Sequence, residues 1–557
     1  MYENGKIYMG LSNEENPQKV FFEMSQANRH GLIAGASGTG KTITMKVMAE
    51  SFSAAGVPVF VCDVKGDVSG LAEPGADNEG MQKRIDKFGI RDTFAYKGFP
   101  VTFWDIYAKG GHPVRTTISD FGPTLLAQIM GLSEIQEGVL NVVFRIADEK
   151  GLKIIDIKDL RAVLNHVNEH RLEYSVKYGN VASASISAIV RALIPLEDQG
   201  GNSFFGEPAL DINDWFTQDV DGRGMINILH AVDVIQYPKL YGMFLLWLLA
   251  ELFEQLPEAG DSDKPKFVFF FDEAHLLFKN SPKALVEKIE QTVKLIRSRG
   301  VGIYFVTQSP SDVPDAVLAQ LSNRVQHALR AYTPAEQKAV RTAAQTFRVN
   351  PKFNTEEKIM TLGTGEALTS FLDEKGVPGI VQDTKIICPE SLMAACNPAV
   401  KASIMMNSIM GEKYDESFDA ISAYEVLVEQ AEIDAEIKAD EARIAAETKA
   451  KEDAEKQAEK EKLAAEKAAE KEAERLKIAE EKEAQRLKIA EEKEALRQKI
   501  AAEKAAQKEL EKKEKALEKE KEKKEKAAER RKAKIESQLI QAGGQVLKRG
   551  LMSVLKF

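Results

Sequence analysis

The apolar positions of this chain fall into three regimes. The first is a set of short unbroken runs, each long enough for one strand buried on both faces of a parallel sheet. These are Gly31-Leu32-Ile33-Ala34, Val57-Pro58-Val59-Phe60-Val61-Cys62, Met225-Ile226-Asn227-Ile228-Leu229, Phe267-Val268-Phe269-Phe270-Phe271 and Val301-Gly302-Ile303-Tyr304-Phe305-Val306. Val325 to Arg330, Leu368 to Leu372 and Gly379 to Val381 add shorter strands. Up to six or seven such strands with helical crossovers make the expected doubly wound α/β sheet. The second regime runs from Pro123 to about Glu197, where Leu125, Leu126, Ile129, Met130, Val139, Val142, Val143 and Ile146 recur at helical spacing. Residues 1–30 are short and polar, with room for an edge strand or two.

The third regime begins near Ala431, where composition collapses to Ala, Glu and Lys, the signature of a long helix or coiled coil. Leu476 to Arg486 recurs as Leu487 to Arg497, with a weaker third copy from Gln498 to Lys508. The period is eleven, or ~3.67 residues per turn, which implies a nearly straight or slightly right-handed stripe marked by Ile478, Ile489 and Ile500. At ~1.5 Å per residue a single helix over this arm reaches about 150 Å. A solvated spacer helix is the favoured reading and an oligomerising coil the rival. Residues 511–533 have almost no stripe. Ile535 to Phe557 then forms a basic amphipathic end, suited to docking on the assembly, a partner or an anionic surface.

These regimes divide the chain. Residues 1–70 form the first part of the core, 71–220 a mainly helical insertion, and 221–395 the second part of the core. A connector spans 396–430, the long charged helix or coiled coil 431–534, and the amphipathic end 535–557.

Composition narrows the class. The chain of 557 residues is 44% hydrophobic and 29% charged, with a formal net charge of −10. That balance carries no surface-wide basic footprint for nucleic acid, although a basic pore is compatible with it. Three cysteines, Cys62, Cys388 and Cys396, are too few for a disulfide framework. With no signal peptide and no run long enough to span a bilayer, the expected location is the cytoplasm. His166 and His170 stand four apart without a third ligand nearby, so a solvated helix face is the expectation there.

The chemistry sits at strand ends. Gly35-Ala36-Ser37-Gly38-Thr39-Gly40-Lys41-Thr42 reads G-x-x-x-x-G-K-T between a strand and a helix. Glycines let backbone N–H groups curl round phosphates at a helix N-terminus, whose dipole favours anions. Lys41 places a charge on the β/γ-phosphates and the Thr42 hydroxyl is the candidate Mg²⁺ ligand. After the run ending in Phe271 come Asp272-Glu273-Ala274-His275, a Walker B signature. Asp272 is the second candidate for Mg²⁺, and Glu273 the candidate base that polarises the attacking water. ATP and Mg²⁺ are the expected cofactors, with hydrolysis the expected reaction. Gln308, at the tip of the strand from Val301, is the candidate γ-phosphate sensor. Asp63, Lys65 and Asp67 close another strand and draw suspicion by position, with a plain charged surface turn as the equal alternative.

On these motifs residues 1 to about 395 resemble the bacterial HerA-like P-loop ATPases, relatives of the HerA/FtsK motors. The matching stretches are Arg29 to Gly35, the Asp63-x-Lys65-Gly66-Asp67 turn, Gln136 to Asn141, Phe204 to Pro208, the Walker B strand, Thr307-Gln308 and Asn323 to Ala328, with Leu547 to Gly550 at the end of the chain. The resemblance implies a RecA/FtsK-like P-loop NTPase core followed by the charged arm, and a homo-oligomeric ring, often a hexamer. It also implies duplex DNA as a partner and an arginine acting on the neighbouring subunit's nucleotide. Arg324 best matches that arginine, with Arg297 and Arg299 as rivals. With the P-loop beginning at Gly35, the N-terminal β-barrel of HerA is not expected. The function implied is a helicase- or translocase-like ATPase. The alternative is an ATP-driven assembly or scaffolding protein that engages protein partners through residues 431–557.

Overall fold

The computed structural model describes residues 1–260, 262–279, 283–460, 477 and 479–500. The chain divides into two compact units, Met1–Val428 and Glu429–Phe557.

The first unit is built on one sheet of thirteen described strands. In chain order these are β1 (Tyr2–Glu3), β2 (Lys6–Ser12), β3 (Lys19–Glu23), β4 (Gly31–Ala34), β5 (Val59–Asp63), β6 (Val101–Asp105) and β7 (His112–Pro113). They continue with β8 (Ile226–His230), β9 (Phe267–Phe271), β10 (Val301–Thr307), β11 (Asn323–His327), β12 (Glu366–Ser370) and β13 (Gln382–Ile386). Across the sheet the order is β1-β2-β13-β12-β11-β4-β10-β9-β5-β8-β6-β7, with β3 paired to β2. From β11 to β7 all neighbours are parallel, and the remaining pairs are antiparallel.

The apolar runs form central strands because alternate side chains serve two separate cores. On β9, Phe267, Phe269 and Phe271 enter one cluster, while Val268 and Phe270 enter the other. On β5, Phe60 and Cys62 go one way, Val59 and Val61 the other. The first cluster packs under the helices between Pro123 and Gln255, and the second under α1 (Lys41–Ala54) through Met45, Met48 and Phe52. At about 1.5–3 kcal/mol per fully buried large side chain, β9 alone is a strong determinant of the sheet.

Several elements differ from the sequence expectation. The sheet holds thirteen described strands, where up to seven were expected. Within 71–220, Val101-Thr102-Phe103-Trp104-Asp105 forms β6, which pairs parallel with β8, so this stretch contributes to the sheet as well as carrying helices. Its five residues are all buried, but the glycines and prolines around them mask the run. The N-terminal hairpin of β2 and β3 buries Ile7, Met9 and Phe22 and extends the sheet by pairing with β13. The last strand lies at Gln382–Ile386, beyond the expected Gly379–Val381, and β11 begins earlier, at Asn323. Residues 396–430 are more than a connector. The helix Ile409–Tyr414 buries Tyr414 fully, with its ring 5.5 Å from that of Trp104.

The arm departs most. In the second unit the helix that ends at Lys460 and the helical residues 479–500 lie side by side and antiparallel. Arg443 donates to Gln485 Oε1 at 2.7 Å, Lys482 reaches the Ile444 carbonyl at 3.4 Å and pairs with Glu447, and Lys493 stands 3.9 Å from Asp434. Each pair sums to nearly the same residue number, as a hairpin register requires. Over the described residues this overturns the straight spacer. A thin stripe needs a partner, and Ile433, Ile437, Ile444, Ile489, Leu496 and Ile500 are all partly buried. Exposed ion pairs add roughly 0–1 kcal/mol each, so the stripe sets the pairing more than the charges do. The third repeat copy beyond residue 500, the stretch 511–533 and the amphipathic end 535–557 lie outside the described residues.

Spin labels at positions 436 and 491 test the hairpin. Helices packed about 8–10 Å apart predict a label separation below roughly 30 Å. A single continuous helix would separate the two positions by about 80 Å at ~1.5 Å per residue.

Candidate nucleotide site

In a parallel sheet every strand's carboxyl end lies on one edge, and that edge is where ligands bind. Register fixes the neighbours here. Thr307 of β10 pairs with Ala34 of β4, Phe305 with Phe271 of β9, and Phe271 in turn with Cys62 of β5. The P-loop after β4, Gln308 after β10, Asp272 and Glu273 after β9, and the Asp63–Asp67 turn at the end of β5 therefore open on one crevice.

The P-loop is held from below. Gly35 N–H donates to the Thr307 carbonyl at 3.2 Å and Ala36 N–H to that of Ala328 at 2.8 Å. Gly35 sits at φ +153°, and a Cβ there would lie 2.5 Å from that of His327, so the position admits no side chain. His327 forms the floor, with Nε2 2.8 Å from Thr44 Oγ1 on α1 and Nδ1 2.9 Å from the Glu366 carbonyl. Burial lowers its pKa to about 4, so the ring stays neutral beneath an anion site. Lys41 donates to the Gly35 and Ala36 carbonyls at 2.7 and 3.1 Å, and burial lowers its pKa. Its ammonium thus already lies inside the loop.

The carboxylates are the most costly feature. Asp272 Oδ1 accepts from the Glu273 N–H at 2.9 Å, whereas Oδ2 is buried without a hydrogen-bond partner. Burial pushes Asp272 up to about 7, against the pull of Lys65. An unpartnered carboxylate oxygen in such a place is strongly disfavoured unless a cation meets it. The residues present therefore fit Mg²⁺, with Asp272 and the half-buried Thr42 at the first turn of α1 as the candidate protein donors. Burial also pushes Glu273 up, but the hydrogen bond and charge of Lys65 outweigh it and leave its pKa lowered. Glu273 occupies the left-handed region at φ +47°, rare for a side chain of this kind and costing on the order of 1–3 kcal/mol.

Gln308 is exposed at the tip of β10, between the P-loop strand and the carboxylate strand. The neighbouring Thr307 hydroxyl and the Ser309 N–H both donate to Asp312, at 2.8 and 2.9 Å, which fixes the tip. The structure thus gathers Gly35 to Thr42, Asp272, Glu273 and Gln308 on one edge. Arg324 is not among them. It stands second on β11, toward the opposite edge, and its guanidinium donates to the carbonyls of Leu321, Thr346 and Leu318 at 2.9, 3.0 and 3.1 Å. A side chain so engaged ties its own subunit together, away from the edge that carries the P-loop. Arg297 and Arg299 lie on the turn before β10. The Arg299 guanidinium stands 4.8 Å from the Phe253 ring centre. The His166 and His170 rings lie 4.4 Å apart and tilted by 35°, with His166 Nε2 3.0 Å from the Tyr174 hydroxyl.

Two residues had no role assigned from sequence. Lys65 carried suspicion only as one of three charges on a turn, because strand order across the sheet is invisible in the chain. His327 stood inside a matching stretch, but nothing local marked it as the floor of a loop nearly three hundred residues away.

The family model described as Helicase HerA-like C-terminal matches residues 9–500. The DNA double-strand break repair helicase HerA of Sulfolobus acidocaldarius is 21% identical over 390 residues, 66% of this chain and 67% of that protein. Among solved structures, the bacterial conjugative coupling protein TrwB in its unbound monoclinic form is similar at 15% identity and a TM-score of 0.44. That match covers 68% of this chain and 89% of the other. VirB4 of Thermoanaerobacter pseudethanolicus is similar at 14% identity and a TM-score of 0.43, covering 72% of this chain and 99% of the other.

Arg324→Ala separates a structural from a catalytic role. Three carbonyls lose a charged donor, so chemical denaturation should show a loss of about 1–3 kcal/mol. ATP turnover per folded molecule should stay within about twofold of wild type, since ~1.4 kcal/mol of lost transition-state stabilisation would already show as tenfold.

Proposed function

Because the chain belongs to the Helicase HerA-like C-terminal family, and is a P-loop ATPase by that membership, we propose that it is a DNA-directed motor. It would hydrolyse ATP in a cytoplasmic homo-oligomeric ring, a hexamer in the simplest case. The observation that carries the reading is one crevice holding the P-loop beside two buried carboxylates, each with an oxygen left without a hydrogen-bond partner.

The residues divide the work. Backbone N–H groups of Gly35 to Thr42 bind the phosphates at the N-terminus of α1, where the helix dipole assists. Lys41 exchanges its two carbonyl partners for phosphate oxygens. Thr42 and Asp272 hold Mg²⁺, which when bound neutralises charge developing on the β- and γ-phosphates. Glu273 orients and polarises the attacking water through its free oxygen, and Gln308 reads the γ-phosphate from the strand between. With Arg324 engaged in its own subunit, Arg297 and Arg299 are the candidates for a contribution in trans. The named relative, a DNA repair helicase, supports duplex DNA as the substrate.

A second reading has its own observation. Over its described residues the arm pairs as two antiparallel helices of mixed charge, a shape suited to protein partners. In that case ATP turnover would drive assembly of proteins.

ATP hydrolysis measured with and without duplex DNA, beside Glu273→Gln, tests both. The motor reading predicts stimulation by DNA and a loss of at least about 10²-fold in the variant, the usual worth of a positioned base. Robust turnover indifferent to DNA would shift the substrate to the arm's protein partners.

A further inference from the structure

The turn between β5 and the Walker B crevice has a built geometry that the proposed division of labour does not use. Asp63, buried at the end of β5, accepts from the N–H groups of Gly66, Val68 and Lys65 at 2.7, 3.1 and 3.3 Å. One carboxylate thereby folds the turn, and the turn aims Lys65 across to the neighbouring strand β9. There the Lys65 ammonium donates to Glu273 Oε1 at 2.5 Å. The lysine side chain is 46% exposed and the glutamate 7%, so the pair sits at the mouth with its anion inside.

Glu273 has little else to hold it. Its second oxygen is 3.2 Å from His275 Nδ1, but without hydrogen-bonding geometry. Lys41, the other nearby cation, is occupied by two P-loop carbonyls. Among the described residues Lys65 is the side chain that hydrogen-bonds the Glu273 carboxylate. The backbone of Glu273 is at φ +47°, a conformation that persists only where surroundings over-determine it. Anchoring Oε1 leaves Oε2 buried without a hydrogen-bond partner, and a general base needs one such uncommitted oxygen.

We propose that Lys65 is a positioning residue for ATP hydrolysis, acting through Glu273 by fixing which carboxylate oxygen meets the attacking water. The inference rests on the reading of Glu273 as the base. Without the ammonium, the strained backbone relaxes and the carboxylate leaves its place. A displacement of ~1 Å at a reacting group is enough to cost on the order of 10²-fold.

The test uses the full chain in four forms: Lys65→Met, Lys65→Arg, Glu273→Gln and the double variant Lys65→Met/Glu273→Gln. Steady-state ATP hydrolysis is measured alongside binding of a fluorescent non-hydrolysable ATP analogue. Lys65→Met should lower kcat at least about tenfold, with KM and analogue affinity within about threefold of wild type. Lys65→Arg, which keeps a donor in reach, should recover a large part of kcat. In the Glu273→Gln background Lys65→Met should add less than about twofold, because residues acting as a unit are not additive. An unchanged or raised kcat, a loss that appears in KM, or losses that multiply in the double variant would overturn the proposal. Wild-type turnover retained in Glu273→Gln would instead remove the base reading itself, and that outcome is visible before Lys65 is considered.

Discussion

The structure depends on placing two carboxylates at the end of a strand buried on both faces. Phe267 to Phe271 is buried throughout, and Asp272 and Glu273 follow at once. Burial raises Asp272 to about 7, which is the measure of how poorly that position tolerates an unmet charge. Nearby cations and a backbone donor answer part of it. Lys65 reaches over from β5, Lys41 stands inside the P-loop, and the Glu273 N–H caps Asp272. The strand order makes this possible, since β9 lies between β5 and β10, and β10 lies beside the P-loop strand.

The same constraint explains the small residues and the neutral histidine. A cradle for phosphate needs backbone close to backbone, and Gly35 is pressed so near His327 that any side chain would collide. His327 in turn is kept uncharged by burial and spends both ring nitrogens on Thr44 and Glu366. The floor of the site is therefore rigid and neutral, while its rim carries the charge. That division would suit the proposed ligand, a polyanionic nucleotide accompanied by a divalent cation.

Much of this was legible in the chain. The central strands are long apolar runs because they are buried on both faces, and the P-loop and Asp272-Glu273 are local motifs with fixed spacing. What was hidden is what sequence order cannot encode. β6 was masked by glycines and prolines. The pairing of β5 with β9, which delivers Lys65 to Glu273, joins residues over two hundred positions apart. Arg324 resembled a catalytic arginine because its stretch matched, yet the carbonyls that engage it come from a helix end and loops invisible to a motif. The arm's eleven-residue period was read as a stripe but not as a hairpin. A straight stripe packs as well on a returning helix of the same chain as on another molecule, and only the register of Arg443, Glu447 and Lys482 decides between them.

The central claim is that the buried carboxylates and the P-loop form one site for a nucleotide and a divalent cation. Isothermal titration with a non-hydrolysable ATP analogue, in Mg²⁺ and again in excess chelator, tests it most directly. Binding should tighten at least about tenfold with Mg²⁺, equivalent to ~1.4 kcal/mol, and the dependence should disappear in Asp272→Asn. Equal affinity in both conditions, or no binding in either, would contradict it.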